Sequence, residues 1–254
     1  MAETPSATPI RVHVSGVRGR MGSLVATTVQ REQGLVLAGG TDLGDDLPRA
    51  IRDGRADVVV DFTEPGSALR NTLAILDAGA RPVVGTTGFQ AADLARVRAR
   101  CAELRRGAVI APNFAIGAVL ATRFAREAAR FFPTVEIVEL HHDKKADAPS
   151  GTALGTAAAV AEARGAASAA IPGEREIVPG ARGALATGGV RVHSVRLRGL
   201  VAHQETIFGG DGETLTLRHD SLSRESFMPG VVLAVRRVTA LDALVVGLEP
   251  LLFP

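Results

Sequence analysis

Residues 139–152 read Glu139-Leu140-His141-His142-Asp143-Lys144-Lys145-Ala146-Asp147-Ala148-Pro149-Ser150-Gly151-Thr152. Two imidazoles and two ammonium groups fall within five positions at the end of an apolar run, and Ser-Gly-Thr then opens an alanine-rich helix. Imidazole changes charge near neutral pH. Lysines supply fixed positive charge, and a helix start presents unpaired N–H groups to anions. Together these parts can hold a small dianion and hand it a proton. A solvated charge run on a loop is the plain alternative; the apolar strand before the run and the Pro-Ser-Gly-Thr stop after it favour a site. A metal centre built from His141, His142 and Asp143 fits poorly. Neighbouring strand residues point to opposite faces and the usual zinc-ligand spacing is absent, so no metal is expected.

A second set of residues speaks of a dinucleotide. Gly16-Val17-Arg18-Gly19-Arg20-Met21-Gly22 follows an alternating apolar strand. Glycines at such a turn let the backbone approach a pyrophosphate, which then sits on the N-terminus of the next helix. The spacing departs from Gly-x-Gly-x-x-Gly because Arg18 fills the middle slot. Alone, the turn is as easily an ordinary strand-to-helix connection. Asp42 strengthens the case: it follows the second strand, where an acid bonds ribose hydroxyls. Arg18 and Arg20 flank the same place and can meet a 2′-phosphate, so NADH or NADPH is expected. Three later strand ends, Asp61-Phe62-Thr63, Gly85-Thr86-Thr87-Gly88 and Ala111-Pro112-Asn113-Phe114, supply loops where ligands of open α/β sheets lie. Each taken singly is ordinary turn chemistry.

The elements that position these residues alternate in the first half. Strands are expected at Ile10–Ser15, Leu35–Ala38, Ala56–Asp61, Arg81–Gly85 and Ala108–Ala111. Helices are expected at Met21–Gln33, Gly66–Ala78 and Ala91–Arg106. This βαβ order implies a Rossmann-like, doubly wound parallel sheet. After a helix over Gly117–Phe131 the pattern breaks. The strand Val135–Leu140 leads into the His-Lys run, and a helix Thr152–Arg164 follows. A Gly/Pro-rich stretch then runs over Ile171–Gly189. Val190–Leu200, Gln204–Phe208 and Glu213–His219 read as strands, with Gly209–Gly212 as a hairpin turn. A helix Ser226–Val238 and an apolar tail Leu244–Leu252 return to the first domain. The fold class is therefore α/β, with a smaller α+β domain built on a mixed, mainly antiparallel sheet. The expected division is 1–112 with 225–254 for the dinucleotide, and 113–224 for substrate and oligomer contacts.

Composition sets outer limits. The chain has 254 residues, a net charge of +2, one cysteine, no Trp and no Tyr. Cys101 can form no internal disulfide and reads as inert rather than catalytic. A pI near 9.3 on so small a net charge does not argue for nucleic acid, and a single-strand stacking platform lacks its aromatics. No apolar run approaches a membrane span. Residues 1–9 are polar and read as a frayed tail, with no export signal. A cytoplasmic location is expected. His13, His193, His203 and His219 lie in strand-like text and suit structural roles.

The run from Glu139 to Ala153 resembles the Glu-x-His-His-x-x-Lys-x-Asp-Ala-Pro-Ser-Gly-Thr-Ala motif of bacterial dihydrodipicolinate reductases, also called 4-hydroxy-tetrahydrodipicolinate reductases, and most resembles their actinobacterial branch. Gly16–Gly22, Val60–Thr63, Val84–Phe89, Ala111–Gly117, Pro179–Gly183 and Gly199–Glu205 resemble that family in matching order. The resemblance implies a two-domain homotetramer that reduces a small cyclic imine dicarboxylate with NADH or NADPH on the diaminopimelate route to lysine. It makes His141 the proton donor and Lys145 its catalytic partner. It places His142, Lys145, Gly151 and Thr152 on the substrate carboxylates, and Gly16, Gly19, Arg20, Met21 and Asp42 on the dinucleotide. It puts Gly85, Thr87, Ala111, Asn113 and Phe114 near the nicotinamide. Some members carry arginine directly after the ribose-binding acid, where this chain has Leu43. Asp143 stands where others often have a basic residue or proline, which lowers the local positive charge.

Chemistry independent of the name agrees. Hydride addition to a conjugated imine leaves carbanion or enamine charge, which needs a near-neutral acid such as histidine. A lysine beside that histidine favours its neutral form in the empty site, and a bound dianion favours the protonated form. Two other readings are another NAD(P)-dependent imino- or amino-acid oxidoreductase, and a regulatory protein that senses NAD(H) without catalysis.

Overall fold

The computed structural model describes residues 8–165 and 173–254. Most of the expected N-terminal tail, the alanine-rich residues 166–170 and the first two residues of the Gly/Pro-rich stretch lie outside the described residues. The chain divides into two units, Met1–Phe114 with Phe227–Pro254, and Ala115–Ser226.

The first unit runs β1 (Ile10–Ser15), α1 (Arg20–Arg31), β2 (Leu35–Thr41), α2 (Leu47–Gly54), β3 (Val58–Asp61), α3 (Pro65–Asp77), β4 (Arg81–Val84), α4 (Ala91–Leu104) and β5 (Ala108–Ile110). Later in the chain, α7 (Met228–Val238), β11 (Leu244–Val246) and α8 (Glu249–Leu252) complete it. Six parallel strands pair in the order β11-β5-β4-β3-β1-β2. Val58, Val59, Val60 and Asp61 are all buried, as a strand covered on both faces requires. The order reverses at β1, which lies between β2 and β3. The crevice beyond the carboxyl ends at such a reversal is where open sheets bind ligands. The apolar tail does return, since Leu244 to Val246 pair with Ala108 to Ile110.

Two local features depart from expectation. β2 runs on through Gly39 and Gly40 to Thr41, where pairing with His13, Val14 and Ser15 outweighs the poor strand propensity of glycine. A Cβ on Gly40 would lie 2.8 Å from the Val17 side chain, so the glycine lets the strand pass the turn after β1. Helix α2 was not expected at all. It has eight residues, with Pro48 in its first turn and Gly54 at its end. Its helical signal reduces to Leu47 and Ile51, four apart and both buried, with Asp46 capping the Arg49 amide at 3.0 Å.

The second unit holds α5 (Ile116–Ala128), β6 (Thr134–His141), α6 (Gly151–Arg164), β7 (Ala184–Leu185), β8 (Arg191–Arg196), β9 (Ala202–Gly210) and β10 (Glu213–Ser221). Its sheet order is β10-β9-β6-β8-β7. Only β6 with β8 is parallel; the other pairs are antiparallel. This is the mixed, mainly antiparallel sheet expected, plus the two-residue β7. Ala125 and Ala129 at the end of α5 and Ala153, Ala157 and Val160 of α6 bury Val135, Ile137, Val192 and Phe208. Strand alternation then places Glu139 and His141 on that same helix-covered face. The face turns from apolar to ionisable where α6 begins.

Candidate active site

In the second unit the central group is Glu139, a carboxylate with no exposed side-chain surface. Arg196, Ser150, His141 and Ser194 converge on it. Arg196 meets it two-pronged, through NH2 to Oε1 at 2.8 Å and NH1 to Oε2 at 2.9 Å. The Ser150 amide donates to Oε1 at 3.1 Å. His141 Nδ1 lies 2.5 Å from Oε2. A buried charge is tolerable only with such company. Burial pushes the Glu139 carboxyl up, yet hydrogen bonds from Arg196, Ser194 and His141 prevail and hold it below the usual carboxylate range. An ionised carboxylate only accepts, so His141 donates from Nδ1 and its Nε2 is left for a ligand.

The His141 pKa is lowered, first by burial, with Lys145 and Arg196 adding to the effect and Glu139 opposing it. Burial and the two cations thus favour the neutral imidazole, and burial contributes more than the lysine does. Lys145 Nζ is held by both oxygens of Asp147 at 2.7 Å, and that contact lowers the Asp147 pKa. Arg196 also donates to the backbone oxygens of Lys145 at 3.2 Å and Asp147 at 2.6 Å, so it shapes the loop that carries the lysine. Ser150 caps α6 by accepting from the Ala153 amide at 3.2 Å. Gly151 and Thr152 form the first turn. A Cβ on Gly151 would meet nothing within 4 Å, so its place in the motif is not a packing demand. His142 Nδ1 is buried without a partner, one of four such side-chain atoms among the described residues. Asp143 is drawn to Arg198 at 3.1 Å.

Glu139, His141, Lys145 and the start of α6 are therefore brought together through Glu139 and Arg196. The sequence reading assigned Arg196 no role. The available signal was parity: Arg196 pairs with His141 in the parallel β6–β8 register, which fixes it beside the imidazole only once the sheet order is known.

In the first unit a cavity of about 310 Å³ opens at the sheet reversal, lined in part by Ser15, Gly16, Gly19, Asp42, Phe62 and Thr63. That suits one nucleotide half. Gly16 has φ +83° and a Cβ there would lie 2.8 Å from the Phe62 carbonyl oxygen. A Cβ on Gly22 would lie 2.0 Å from the Gly16 oxygen, so the turn closes onto α1 only with glycine at both places. Gly19 is the N-cap of α1 without a side-chain cap, and no acid stands in the first turn. The amides of Arg20 and Met21 are accordingly left for an anion. The turn and cavity fit a dinucleotide.

Asp42 is already engaged. It accepts from the Arg18 amide at 3.1 Å and from Arg18 Nε at 2.8 Å. Arg18 is therefore tied to the acid and does not stand free for a 2′-phosphate. Of the residues expected near a nicotinamide, Gly85 lies under the Phe62 ring, where a Cβ would sit 2.0 Å from a ring carbon. Thr87 is exposed, and Asn113 is partly buried. Ala111 and Phe114 have buried side chains, so only their backbone is left for a ligand. Asp61 is an organiser of the strand ends. Fully buried, it accepts from Thr63 Oγ1 at 2.7 Å, Thr86 Oγ1 at 2.8 Å and Asn71 Nδ2 at 3.0 Å, joining the β3 and β4 loops.

Among the described residues no group of three or more His, Cys, Asp or Glu is arranged to hold a metal ion, and no helix is long and apolar enough to cross a membrane.

Comparison with known proteins identifies the family. A family described as "Dihydrodipicolinate reductase, N-terminus" matches residues 10–114, and one described as "Dihydrodipicolinate reductase, C-terminus" matches 117–252. The chain is 50% identical over 245 residues to the 4-hydroxy-tetrahydrodipicolinate reductase of Mycolicibacterium smegmatis, covering 96% of this chain and 99% of that one. It is 48% identical over 261 residues to the enzyme of that name from Desulfitobacterium hafniense, covering 94% and 97%. A dipicolinate-bound dihydrodipicolinate reductase from Paenisporosarcina superposes with a TM-score of 0.86 at 42% identity, over 95% of this chain and 99% of that one. With both halves matched and relatives of this identity along nearly its whole length, the chain belongs to the dihydrodipicolinate reductase family.

Proposed function

We propose that this protein catalyses the NAD(P)H-dependent reduction of 4-hydroxy-tetrahydrodipicolinate to tetrahydrodipicolinate, in the diaminopimelate route to lysine. The observation that carries the reading is the buried Glu139–His141 contact, which leaves the imidazole Nε2 available beside Lys145 and the start of α6. When bound, the reduced nicotinamide supplies the hydride. His141 supplies the proton that the resulting enamine charge requires. Lys145, His142 and the amides of Gly151 and Thr152 hold the substrate carboxylates. The unpartnered Nδ1 of His142 fits that role, since a buried polar atom without a partner calls for one. A bound dianion opposes the burial and lysine effects that keep His141 neutral, so substrate charges the acid it needs.

The dinucleotide is assigned to Gly16, Gly19, Arg20, Met21 and Asp42, with Gly85, Thr87, Ala111, Asn113 and Phe114 toward its nicotinamide. The first unit then serves the cofactor and the second the substrate. A regulatory, non-catalytic reading has no use for a buried carboxylate trained on a histidine, and an oxidoreductase for other imino acids does not account for matches over both halves.

We further assign a homotetramer built on the second unit's sheet. The face opposite α5 and α6 carries Val138, Leu140, Val195 and Ile207, all only partly buried. Around them lie Glu136 with Arg182 and His193, and Glu205 with Arg218. An apolar centre with a paired polar rim suits a self-association surface. The single cysteine, without a possible internal disulfide, suits a cytoplasmic protein.

The test is loss of NADH or NADPH absorbance when the condensation product of pyruvate and aspartate semialdehyde is supplied. Substrate-dependent oxidation is expected. None with either nucleotide, from folded protein, would refute the assignment.

A further inference from the structure

Glu139 and Arg196 enter no step of the reaction just described, yet they are the most heavily bonded ionisable groups beside it. The Glu139 carboxylate accepts twice from Arg196, once from the Ser150 amide and once from His141, and Ser194 adds a further side-chain hydrogen bond. A merely structural ion pair would be complete with Arg196 and the Ser150 amide. The His141 contact is close, at 2.5 Å, and it ends on the ring nitrogen remote from the one that a proton donor would use. We propose that Glu139, clamped by Arg196, is a positioning residue that fixes the His141 ring with Nδ1–H on the carboxylate and Nε2 toward substrate, and holds a charge-stabilising anion behind the imidazolium.

The proposal rests on His141 being the proton donor. In the transfer the Nε2–H bond breaks and a C–H bond forms on the substrate ring, while Nε2 keeps the electron pair. The imidazole is left neutral, with Nδ1–H still on Glu139. Before the transfer the ring carries a full positive charge in a buried place where Lys145 and Arg196 both repel it. Glu139 is the group that favours the charged ring there, with Asp147 turned toward Lys145. The carboxylate can serve only while ionised, and the two-pronged Arg196 contact keeps it so. Arg196 at the same time grips the Lys145 and Asp147 carbonyls, and Glu139 grips the Ser150 amide. One ion pair therefore sets the ring, the lysine loop and the start of α6 in a single arrangement.

The test combines imidazole ¹⁵N NMR of the ligand-free protein with the pH dependence of turnover, in wild type, Glu139→Gln, Glu139→Asp and the double variant Glu139→Gln with Arg196→Gln. The wild-type spectrum should show His141 as the Nδ1–H form. The carboxamide that replaces the carboxylate in Glu139→Gln can donate to Nδ1. That variant should therefore shift the proton to Nε2 and lower kcat roughly 100-fold or more, the size of a general-acid effect. KM should stay within about threefold, since Glu139 does not touch substrate. Removing the anion lowers the His141 pKa, so the falling alkaline limb of kcat should move to lower pH by about one unit. Glu139→Asp keeps the charge and should keep the limb in place with part of kcat restored.

Should Glu139→Gln misfold because Arg196 is left unpaired, the double variant removes both charges and should fold while showing the same tautomer shift, with the limb moved the same way but less far, because the repulsion from Arg196 is gone as well. An unchanged tautomer and an unmoved limb in the folded variant would overturn the proposal, even with kcat reduced. The underlying assignment fails separately: full turnover in His141→Gln would remove the proton donor, whatever the Glu139 spectra show.

Discussion

At the scale of single residues, the local order of ionisable groups decides the chemistry. Alternation along β6 puts Glu139 and His141 on one face, and the carboxylate then dictates which imidazole nitrogen is free. Replacing His141 by Gln should lower kcat by between about 100-fold and 10,000-fold, the range for losing a general acid. Binding of a substrate-like dicarboxylate should survive. With Lys145 proposed to exchange Asp147 for a ligand carboxylate, Lys145→Ala should raise KM and lower kcat together, read from steady-state kinetics over a substrate series. At the other site, Asp42→Ala should weaken NADH binding in a fluorescence titration and free Arg18. Its affinity for NADPH should fall less, or rise, because the freed guanidinium can meet a 2′-phosphate. Equal losses for both nucleotides would contradict the assignment of Asp42 to the ribose.

At the scale of elements, the account depends on two helix starts. Ser150 caps α6 and also donates its amide to Glu139. Ser150→Ala should cost about 1 kcal/mol of stability, typical of a lost N-cap, measured by denaturant unfolding. The backbone contact to Glu139 remains in that variant, so His141 should keep its tautomer. Gly22→Ala faces a backbone oxygen at 2.0 Å and cannot be accommodated without moving the turn; nucleotide affinity should collapse even where the unit stays folded. Much of this was legible in the chain. The glycine turn, the valine run of β3, the Ser150 cap and the His-Lys run all declare themselves through local residue type and spacing. Three things did not. Helix α2 has a single apolar pair and carries Pro and Gly, so tertiary burial of Leu47 and Ile51 supplies what its own propensity lacks. Arg196 acquires its place from the β6–β8 register, which pairs it with the sequence-distant His141. Arg18 lies within reach of both an acid and a phosphate, and only the fold shows that Asp42 holds it.

At the scale of the whole molecule, buried ionisable groups predict how stability follows pH. His13, His141 and His219 all have pKa values lowered from 6.5, each chiefly by burial. The unfolded chain binds their protons more readily, so stability should fall as pH drops below 6.5. Burial raises the Glu136 and Glu139 carboxyls, but their hydrogen-bonding partners outweigh it and hold both below 4.5, which gives a second loss as pH falls past that value. Burial lifts the Cys101 thiol from 9.0 to about 11. There the folded state keeps the proton longer, so stability should also decline across that alkaline window. A plateau of the thermal midpoint between neutral pH and 9.0 is expected, and His13→Gln should flatten its acid shoulder. For assembly, Leu140→Glu on the face opposite α5 and α6 should convert a tetramer into smaller species in sedimentation velocity. A wild-type chain that sediments as a monomer at assay concentration would contradict the proposed assembly.

The most direct measurement is the kcat of wild-type protein and His141→Gln, side by side, at saturating nucleotide and saturating 4-hydroxy-tetrahydrodipicolinate. The account predicts rapid nucleotide oxidation by the wild type and a loss of about 100-fold or more in the variant, with little change in nucleotide KM. Equal rates in the two proteins would contradict it.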